Sequence, residues 1–230
     1  MKTIGLIGGM SWESTSDYYR IINTEMKKRV GGFNSAKIAL YSVNFGEIEK
    51  LQCSGDWEGT STFLIDAAQK VEKAGADFLL ICTNTMHIIA EEVEESVNIP
   101  LIHIADATGE ALITDGIKNV GLLGTSYTME KDFYKGRLTE KYGLNVIVPD
   151  EKDRKIVNDL IYKELCLGIV KDSSRDEFDR VVSKLSSKGC EAVILGCTEI
   201  GILLKENSTI PLYDTTKIHA TKAVDFSLSD

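Results

Sequence analysis

Residues 75–83, GADFLLICT, return with one residue inserted as residues 189–198, GCEAVILGCT. Each copy is a short apolar run that follows a glycine and ends in Cys-Thr. Such a run, bounded by turn residues, is typical of a strand buried in a parallel sheet. The repeat therefore predicts that Cys82 and Cys197 occupy equivalent positions, each at the end of a buried strand.

Two further landmarks recur in the same order around this stretch. Residues 4–8, IGLIG, are echoed by residues 120–124, VGLLG, and the tripeptide Ile-Pro-Leu at residues 99–101 recurs at residues 210–212. Three matches in the same order are less readily explained by chance than a single match. The order of the matches indicates that the chain is an internal duplication.

Within each half, short apolar runs alternate with longer amphipathic stretches, which is the pattern of β-α-β units. We expect an α/β fold of two pseudo-symmetric lobes, each a parallel sheet flanked by helices, with the active site in the cleft between them. Residues 1–105 form the predicted first lobe, joined by a C-terminal helix over 214–230, and residues 106–213 form the second. The predicted strands are Thr3–Ile7, Ile38–Val43, Phe78–Cys82, Leu101–Ile104, Val120–Leu123, Asn145–Val148, Val193–Gly196 and Leu212–Tyr213. The predicted helices are Ser16–Arg29, Thr60–Lys73, Met86–Glu95, Glu130–Lys141, Lys155–Leu167, Arg175–Ser187 and Thr216–Leu228.

Composition and charge exclude several classes of protein. The 230 residues are 43% hydrophobic and 27% charged, and the apolar runs are too short to span a bilayer. The N-terminus runs directly into a strand pattern without a leader, so we expect a cytoplasmic protein. A net charge of −9 disfavours nucleic acid and anionic membranes as partners, because both require a basic surface.

The five cysteines form an odd set without a C-x-x-C pair, so we expect thiols rather than disulfides or a zinc ribbon. Cys82 is followed by Thr-Asn-Thr and Cys197 by Thr-Glu, polar residues able to cap a helix and to hold a substrate carboxylate. In a parallel sheet, ligands bind at this end of the strands. The alternative is that each cysteine merely fills a buried strand position.

A pair of equivalent thiols suits the inversion of a stereocentre by proton transfer. That reaction needs a base on one face of the carbon and an acid on the opposite face. A thiol pKa of about 8.5 allows either protonation state near neutral pH. The duplication therefore favours a two-base mechanism with Cys82 and Cys197 as the catalytic pair.

The chain resembles the aspartate/glutamate racemase family over essentially its whole length. The matching motifs are IGLIGGMSWEST at residues 4–15, CTNTMH at residues 82–87, HIADAT at residues 103–108 and GCTEI at residues 196–200. This resemblance implies two lobes, a homodimer, an amino acid substrate, neither pyridoxal phosphate nor metal, and the same two acid/base cysteines. Glutamate racemases usually carry His after the second Cys-Thr, so Glu199 favours the aspartate or broad-specificity branch.

The resemblance also implies a set of substrate-binding residues. Thr83, Asn84 and Thr85 are expected to hold the α-carboxylate. Thr198 and Glu199, which follow the second cysteine, are also expected to contact the substrate. The other implied contacts are Met10, Ser11, Gln52, Thr125, Tyr127 and Glu164.

Three other interpretations compete with this one. The glycines at residues 5, 8 and 9 match neither G-x-G-x-x-G nor a P-loop, which disfavours a nucleotide. His87 lies five residues after Cys82 without a second ligand pair, so we expect a structural histidine rather than a metal site. A hydantoin racemase, a maleate isomerase, a decarboxylase or a non-catalytic amino acid binding protein remains as an alternative function.

Overall fold

The computed structural model describes residues 1–204 and 210–229, apart from the side chain of Ile202. Residues 205–209 of the predicted second lobe and Asp230 of the predicted C-terminal helix lie outside the described residues. The chain divides into two compact units: residues 1–104 together with the chain from His219 onward, and Ala105–Ile218. No helix in the described part of the chain is both long and apolar enough to cross a membrane.

Each unit is built on one parallel sheet, which confirms the predicted α/β class. The first sheet has the order β2-β1-β3 and the second has the order β5-β4-β6-β7, with every pair parallel. The strands are β1 Ile4–Gly8, β2 Ile38–Ser42, β3 Phe78–Ile81, β4 Asn119–Gly124, β5 Asn145–Ile147, β6 Ala192–Gly196 and β7 Leu212–Asp214.

Helices connect the strands throughout both units. They are α1 Trp12–Val30, α2 Phe45–Ser54, α3 Trp57–Lys73, α4 Ala90–Glu95, α5 Ile104–Thr114, α6 Ser126–Glu130, α7 Asp132–Tyr142, α8 Glu151–Lys163, α9 Asp172–Ser187, α10 Ile200–Leu203 and α11 Thr215–Leu228. Two short 3-10 helices, Thr85–Ile89 and Leu165–Leu167, complete the described elements.

Strands β1 and β3 of the first sheet are buried on both faces, which explains their continuous apolar runs. Ile4 and Leu6 of β1 pack in one cluster with residues of α1 and α11, whereas Ile7 packs in another cluster with residues of α3. Successive side chains of a strand point to opposite faces, so one strand serves both clusters. In the second unit, β4 and β6 pack in one cluster with α8 and α9.

Several elements differ from the sequence prediction. The strand predicted over Leu101–Ile104 is wrong, because Leu101 makes only an isolated bridge to Leu79 and α5 begins at Ile104. The helix predicted over Met86–Glu95 is a 3-10 helix over Thr85–Ile89 followed by the short α4. The sequence interpretation also missed α2, α5, α6 and α10.

Candidate active site

Cys82 directly follows β3 at the carboxyl edge of the first sheet. Its backbone N–H donates to the Ile7 carbonyl (2.9 Å), and its side chain is 1% exposed. Burial raises the pKa of the Cys82 thiol, because the apolar surroundings disfavour the thiolate. The register of β1 and β3 pairs Ile7 with Ile81, which brings the loop after β1 beside Cys82.

The loop after Cys82 is fixed by His87. Its Nδ1 lies 2.8 Å from the Thr83 carbonyl, and its Nε2 accepts a hydrogen bond from the Ile104 backbone N–H (3.2 Å). Because the amide can only donate, Nε2 is the acceptor and Nδ1 carries the proton. Burial lowers the pKa of His87, so the ring is neutral and acts as a structural clamp on the Cys82 loop.

The loop after β1 carries Met10 and Ser11. Gly9 has a φ of 94°, and a Cβ at this position would lie 2.2 Å from the Val43 carbonyl oxygen. The Thr15 hydroxyl accepts from the Gly9 N–H (2.8 Å) and donates to the Ser11 carbonyl (2.8 Å). Thr15 therefore ties this loop to α1, a role that the sequence interpretation missed although a Gly-Gly pair after a strand signals a tight turn.

The remaining predicted residues of the first unit are largely buried polar side chains. Asn84 is 2% exposed, Thr85 is 7% exposed and Gln52 of α2 is 4% exposed, while Thr83 is half-buried. Buried polar groups occur where hydrogen-bond partners or ligands are present. The structure thus groups Met10, Ser11 and residues 83–85 around the end of β3.

Cys197 directly follows β6 in the second unit, as Cys82 follows β3 in the first. Its Sγ donates to Glu199 Oε2 (3.0 Å), and the Thr198 hydroxyl donates to the same oxygen (2.7 Å). Burial raises the pKa of the Cys197 thiol well above its usual range, and the neighbouring Glu199 charge raises it further. The second thiol therefore has a carboxylate partner at hydrogen-bond distance.

Thr125 and Tyr127 lie next to this cysteine in the sheet order. The register pairs Gly124 of β4 with Gly196 of β6, so the residues that follow these strands share one edge. Thr125 Oγ1 accepts from the Thr128 N–H (3.3 Å) and caps α6, which contains Tyr127. The structure thus groups Thr125, Thr198 and Glu199 at the Cys197 edge of the sheet.

Glu164 has a different environment from the other predicted residues. It follows α8, and its carboxylate accepts hydrogen bonds from Lys171 Nζ (2.9 Å) and from the Ser174 hydroxyl. These contacts lower the pKa of the Glu164 carboxyl and connect the 3-10 helix over Leu165–Leu167 to α9. A substrate contact at this carboxylate would have to share its oxygens with these two donors.

The described cysteines and histidines provide no evident metal centre. Among the residues that the structure describes, no three His, Cys, Asp or Glu side chains are arranged as ligands for a metal ion. All five cysteines lie in the described ranges, and none of them forms a disulfide.

Comparisons with known proteins extend over the whole chain. A family model described as Asp/Glu/Hydantoin racemase matches residues 7–223. A Yersinia pestis structure named as a candidate Asp/Glu racemase is 53% identical with a TM-score of 0.94, each chain being covered completely. An aspartate racemase homologue from Pyrococcus horikoshii is 35% identical with a TM-score of 0.86 over both complete chains. A broad specificity amino-acid racemase from Bacillus subtilis is 24% identical over 98% of each chain.

Proposed function

The chain belongs to the Asp/Glu/hydantoin racemase family, and we propose that it racemises amino acids with a carboxylate side chain without a cofactor. In this proposal, Cys82 and Cys197 are the two acid/base residues. The observation that carries it is the duplication, which gives each unit a buried cysteine directly after the equivalent strand, β3 in the first unit and β6 in the second. A cysteine that merely filled a strand position would not need a polar Cys-Thr loop in both copies.

The proposed reaction moves one proton off the α-carbon and another onto it. The thiolate of one cysteine takes the α-proton and becomes a thiol, leaving a carbanion on the substrate. The thiol of the other cysteine then donates its proton to the opposite face and becomes a thiolate. Each positioned acid or base raises the reaction rate about 10²- to 10⁴-fold. Because abstraction of an α-proton demands more than two such groups supply, binding must also orient the substrate and stabilise the carbanion.

The two cysteine loops differ in charge, which supports one orientation of the substrate. Around Cys82, the residues 83–85 offer hydroxyl and amide groups, and the His87 clamp behind them is neutral. Around Cys197, the Glu199 carboxylate is buried. We therefore assign the substrate α-carboxylate to the Thr83–Thr85 loop and its α-ammonium group to the Glu199 side.

Glu199 also supplies a route for the Cys197 proton. Both thiols have raised pKa values, so forming a thiolate requires an acceptor. Because Cys197 Sγ already donates to Glu199 Oε2, transfer along this hydrogen bond would produce the thiolate without changing the net charge of the pair. Asn84, at the equivalent position after Cys82, has no carboxylate to do this.

Proton NMR in deuterium oxide tests the reaction directly. The pure protein is incubated with each enantiomer of aspartate, of glutamate and of a panel of other amino acids, and the α-hydrogen signal is followed. We expect the signal to disappear and chiral chromatography to show the opposite enantiomer. If the protein exchanges no amino acid, it is not a racemase.

Cysteine variants test the two-base assignment. Cys82→Ser and Cys197→Ser should each reduce racemisation by at least about 100-fold. Each variant should still exchange the α-hydrogen of one enantiomer faster than that of the other, because one base remains. Cys53→Ser is the matched control, since Cys53 is exposed in α2. If Cys82→Ser or Cys197→Ser keeps wild-type racemisation in both directions, that cysteine is not part of the mechanism. A decarboxylase-like relative would need only one of the two cysteines.

The resemblance also favours a homodimer as the active form. Light scattering coupled to size-exclusion chromatography measures the mass of the particle directly. A monomeric protein with full racemase activity would remove this part of the proposal.

A further inference from the structure

The three histidines of the chain, His87, His103 and His219, form one buried group beside the Cys82 loop. The centroid of the His87 ring lies 4.5 Å from that of His103 and 5.9 Å from that of His219. None of the three takes part in the proposed proton transfer. A buried polar side chain costs free energy unless its hydrogen bonds are made, so the bonds of this group indicate what it does.

His87 connects the Cys82 loop to the first residue of α5. Its Nδ1 donates to the Thr83 carbonyl (2.8 Å), and its Nε2 accepts from the Ile104 backbone N–H (3.2 Å). Thr83 directly follows Cys82 in the chain, so the first of these bonds holds the backbone next to the thiol. Loss of the ring would release that backbone from α5.

His219 of α11 holds the same segment from another side. Its Nε2 donates to the Ile102 carbonyl (2.7 Å), and its Nδ1 accepts from the Tyr18 hydroxyl (2.8 Å). The Ile102 backbone N–H donates in turn to the Leu79 carbonyl of β3 (2.9 Å). Residues 102–104 are therefore held by β3 and by two histidine rings.

Both rings are neutral, and both of their nitrogens are in use. Burial lowers the pKa of His87 and of His219, because surroundings of low polarity disfavour the charged form. A neutral imidazole has one N–H donor and one lone pair, and each ring spends both on the hydrogen bonds described above. Neither ring can bind a metal ion or accept a proton without breaking one of these bonds. The role that remains is to hold together the parts of the chain that the rings join.

The parts of the chain that the rings join are the two loops at the Cys82 edge of the first sheet. The loop after β1 leads into α1, which contains Tyr18 as well as Thr15, the residue that ties this loop to the helix. The loop after β3 carries Cys82. We call Tyr18, His87 and His219 the histidine brace. Its hydrogen bonds link the two loops in the order Tyr18, His219, Ile102, Ile104, His87 and Thr83.

We infer that the histidine brace positions Cys82 for proton transfer at the α-carbon of the substrate. Its members are positioning residues, because they act through the backbone of the loops rather than by touching the substrate. This inference rests on the proposed racemase function. Loosening the brace should impair the half of the reaction in which Cys82 takes the α-proton more than the half in which Cys197 does. Misplacement of a reacting group by about 1 Å can cost about 10²-fold in rate.

Exchange of the α-hydrogen in deuterium oxide measures the two halves separately, because each enantiomer gives its proton to a different cysteine. The enantiomer that depends on Cys82 is the one whose exchange is lost in Cys82→Ser. At saturating substrate, His87→Leu should slow the exchange of this enantiomer about 100-fold and that of the other by less than about tenfold. His87→Asn should recover at least about tenfold of the loss, because its amide can replace Nδ1 as the donor to Thr83.

Milder variants apply the same test with less risk to folding. Tyr18→Phe removes only the hydroxyl and should slow the Cys82-dependent exchange about 2- to 10-fold. His219→Gln, whose amide can donate to Ile102 and accept from Tyr18, should retain the wild-type ratio of the two exchange rates. Tyr134→Phe is the matched control, since the buried Tyr134 hydroxyl donates to Thr108 within the second unit (3.3 Å). This control should also retain the wild-type ratio.

The ratio of the two exchange rates separates positioning from a purely structural role. Equal slowing of both enantiomers in Tyr18→Phe and in His87→Leu would mean that the brace only stabilises the fold, and this result would overturn the inference. Wild-type rates in both variants would overturn it as well. Circular dichroism checks that the variants are folded. If His87→Leu is unfolded, the ratio in Tyr18→Phe decides in the same way.

The two proposals can fail separately. If the wild-type protein racemises an amino acid and the brace variants keep the wild-type ratio, only the positioning role is wrong. If the wild-type protein exchanges no amino acid, the racemase function is wrong and the positioning role falls with it.

Discussion

Acidification from pH 7.5 to 4 should destabilise the protein through His219, which lies in α11. The Tyr18 hydroxyl lies 2.8 Å from His219 Nδ1, and Nε2 lies 2.7 Å from the Ile102 carbonyl. A carbonyl can only accept, so Nε2 carries the proton and Nδ1 accepts from Tyr18. Protonation of Nδ1 would break the bond from Tyr18 and place a charge in the core. Burial lowers the pKa of His219 to about 4, an effect that the hydrogen bond to Ile102 only partly offsets.

The sign and size of the effect follow from proton linkage. An unfolded histidine has a pKa of about 6.5, so between about pH 6.5 and 4 the unfolded chain binds a proton that the folded chain does not. The stabilisation is complete above the unfolded pKa and is lost as the pH falls towards the folded pKa. The folded and unfolded pKa values differ by about 2.5 units, which corresponds to a loss of about 3 kcal/mol in the free energy of unfolding.

Urea denaturation at several pH values between 4 and 7.5 measures this loss. The matched variant is His219→Gln, whose amide can donate to Ile102 and accept from Tyr18 but does not titrate. The variant should lose about 3 kcal/mol less than the wild type over the window, while carboxylates and the neighbouring His87 ring, 5.9 Å away, contribute to both proteins. Parallel pH dependences would refute the reasoning. NMR titration of the wild-type ring gives a second measurement, in which no change is expected above about pH 5.

Three further predictions concern the loops and the thiols. Gly9→Ala should lower the free energy of unfolding by more than Gly55→Ala, because both glycines have positive φ but only Gly9 would bring a Cβ within 2.2 Å of the Val43 carbonyl. Denaturation of both variants in urea checks this, and about 1–3 kcal/mol is the expected cost of the backbone strain alone. Glu199→Gln should reduce kcat about 10- to 100-fold, because the amide cannot take the Cys197 proton, and Glu199→Asp should recover part of the rate. In the wild type, kcat/KM should change little from pH 7 to 9, because transfer from Cys197 to Glu199 produces the thiolate without releasing a proton to solvent. In Glu199→Gln, kcat/KM should instead rise about tenfold per pH unit, since burial raises the pKa of both proposed catalytic thiols and the thiolate must form by losing its proton to solvent. A flat profile in Glu199→Gln would mean that no thiol ionisation limits the reaction.

The position of both cysteines could be predicted because it depends on short-range sequence features. A buried parallel strand needs a continuous apolar run, and the run must end where the chain turns towards a helix. Both requirements are visible in residues 75–83 and again in residues 189–198. The structure accordingly ends β3 at Ile81 and β6 at Gly196, one residue before each cysteine. Burial of the two thiols follows from these positions.

The errors arise where long-range contacts override the local pattern. The Leu101–Ile104 run looks like a strand, but the Ile104 N–H donates to His87 Nε2 and α5 begins there. A hydrogen bond between residues 17 positions apart leaves no signal in the local pattern. In α5 itself, Gly109 weakens the helix pattern, and the reason for the glycine is that a Cβ would lie 2.6 Å from the Tyr142 ring. The Glu164 carboxylate accepts hydrogen bonds from Lys171 and Ser174, and these contacts likewise leave no signal in the local sequence pattern.

Duplication explains why the proposed site has two thiols, and later divergence of the loops explains how one substrate orientation can be preferred. In the first unit, neutral His87 clamps the Cys82 loop by two hydrogen bonds, and the second residue after Cys82 is an amide, Asn84. In the second unit, the equivalent position is Glu199, which holds Cys197 and Thr198 by its carboxylate. A zwitterionic amino acid has one anionic and one cationic group on its α-carbon, so opposite preferences in the two loops would fix the direction in which it binds in the proposed site. In the proposed mechanism, equivalent thiols provide the two faces that inversion requires, and unequal loops decide which group of the substrate lies beside each thiol.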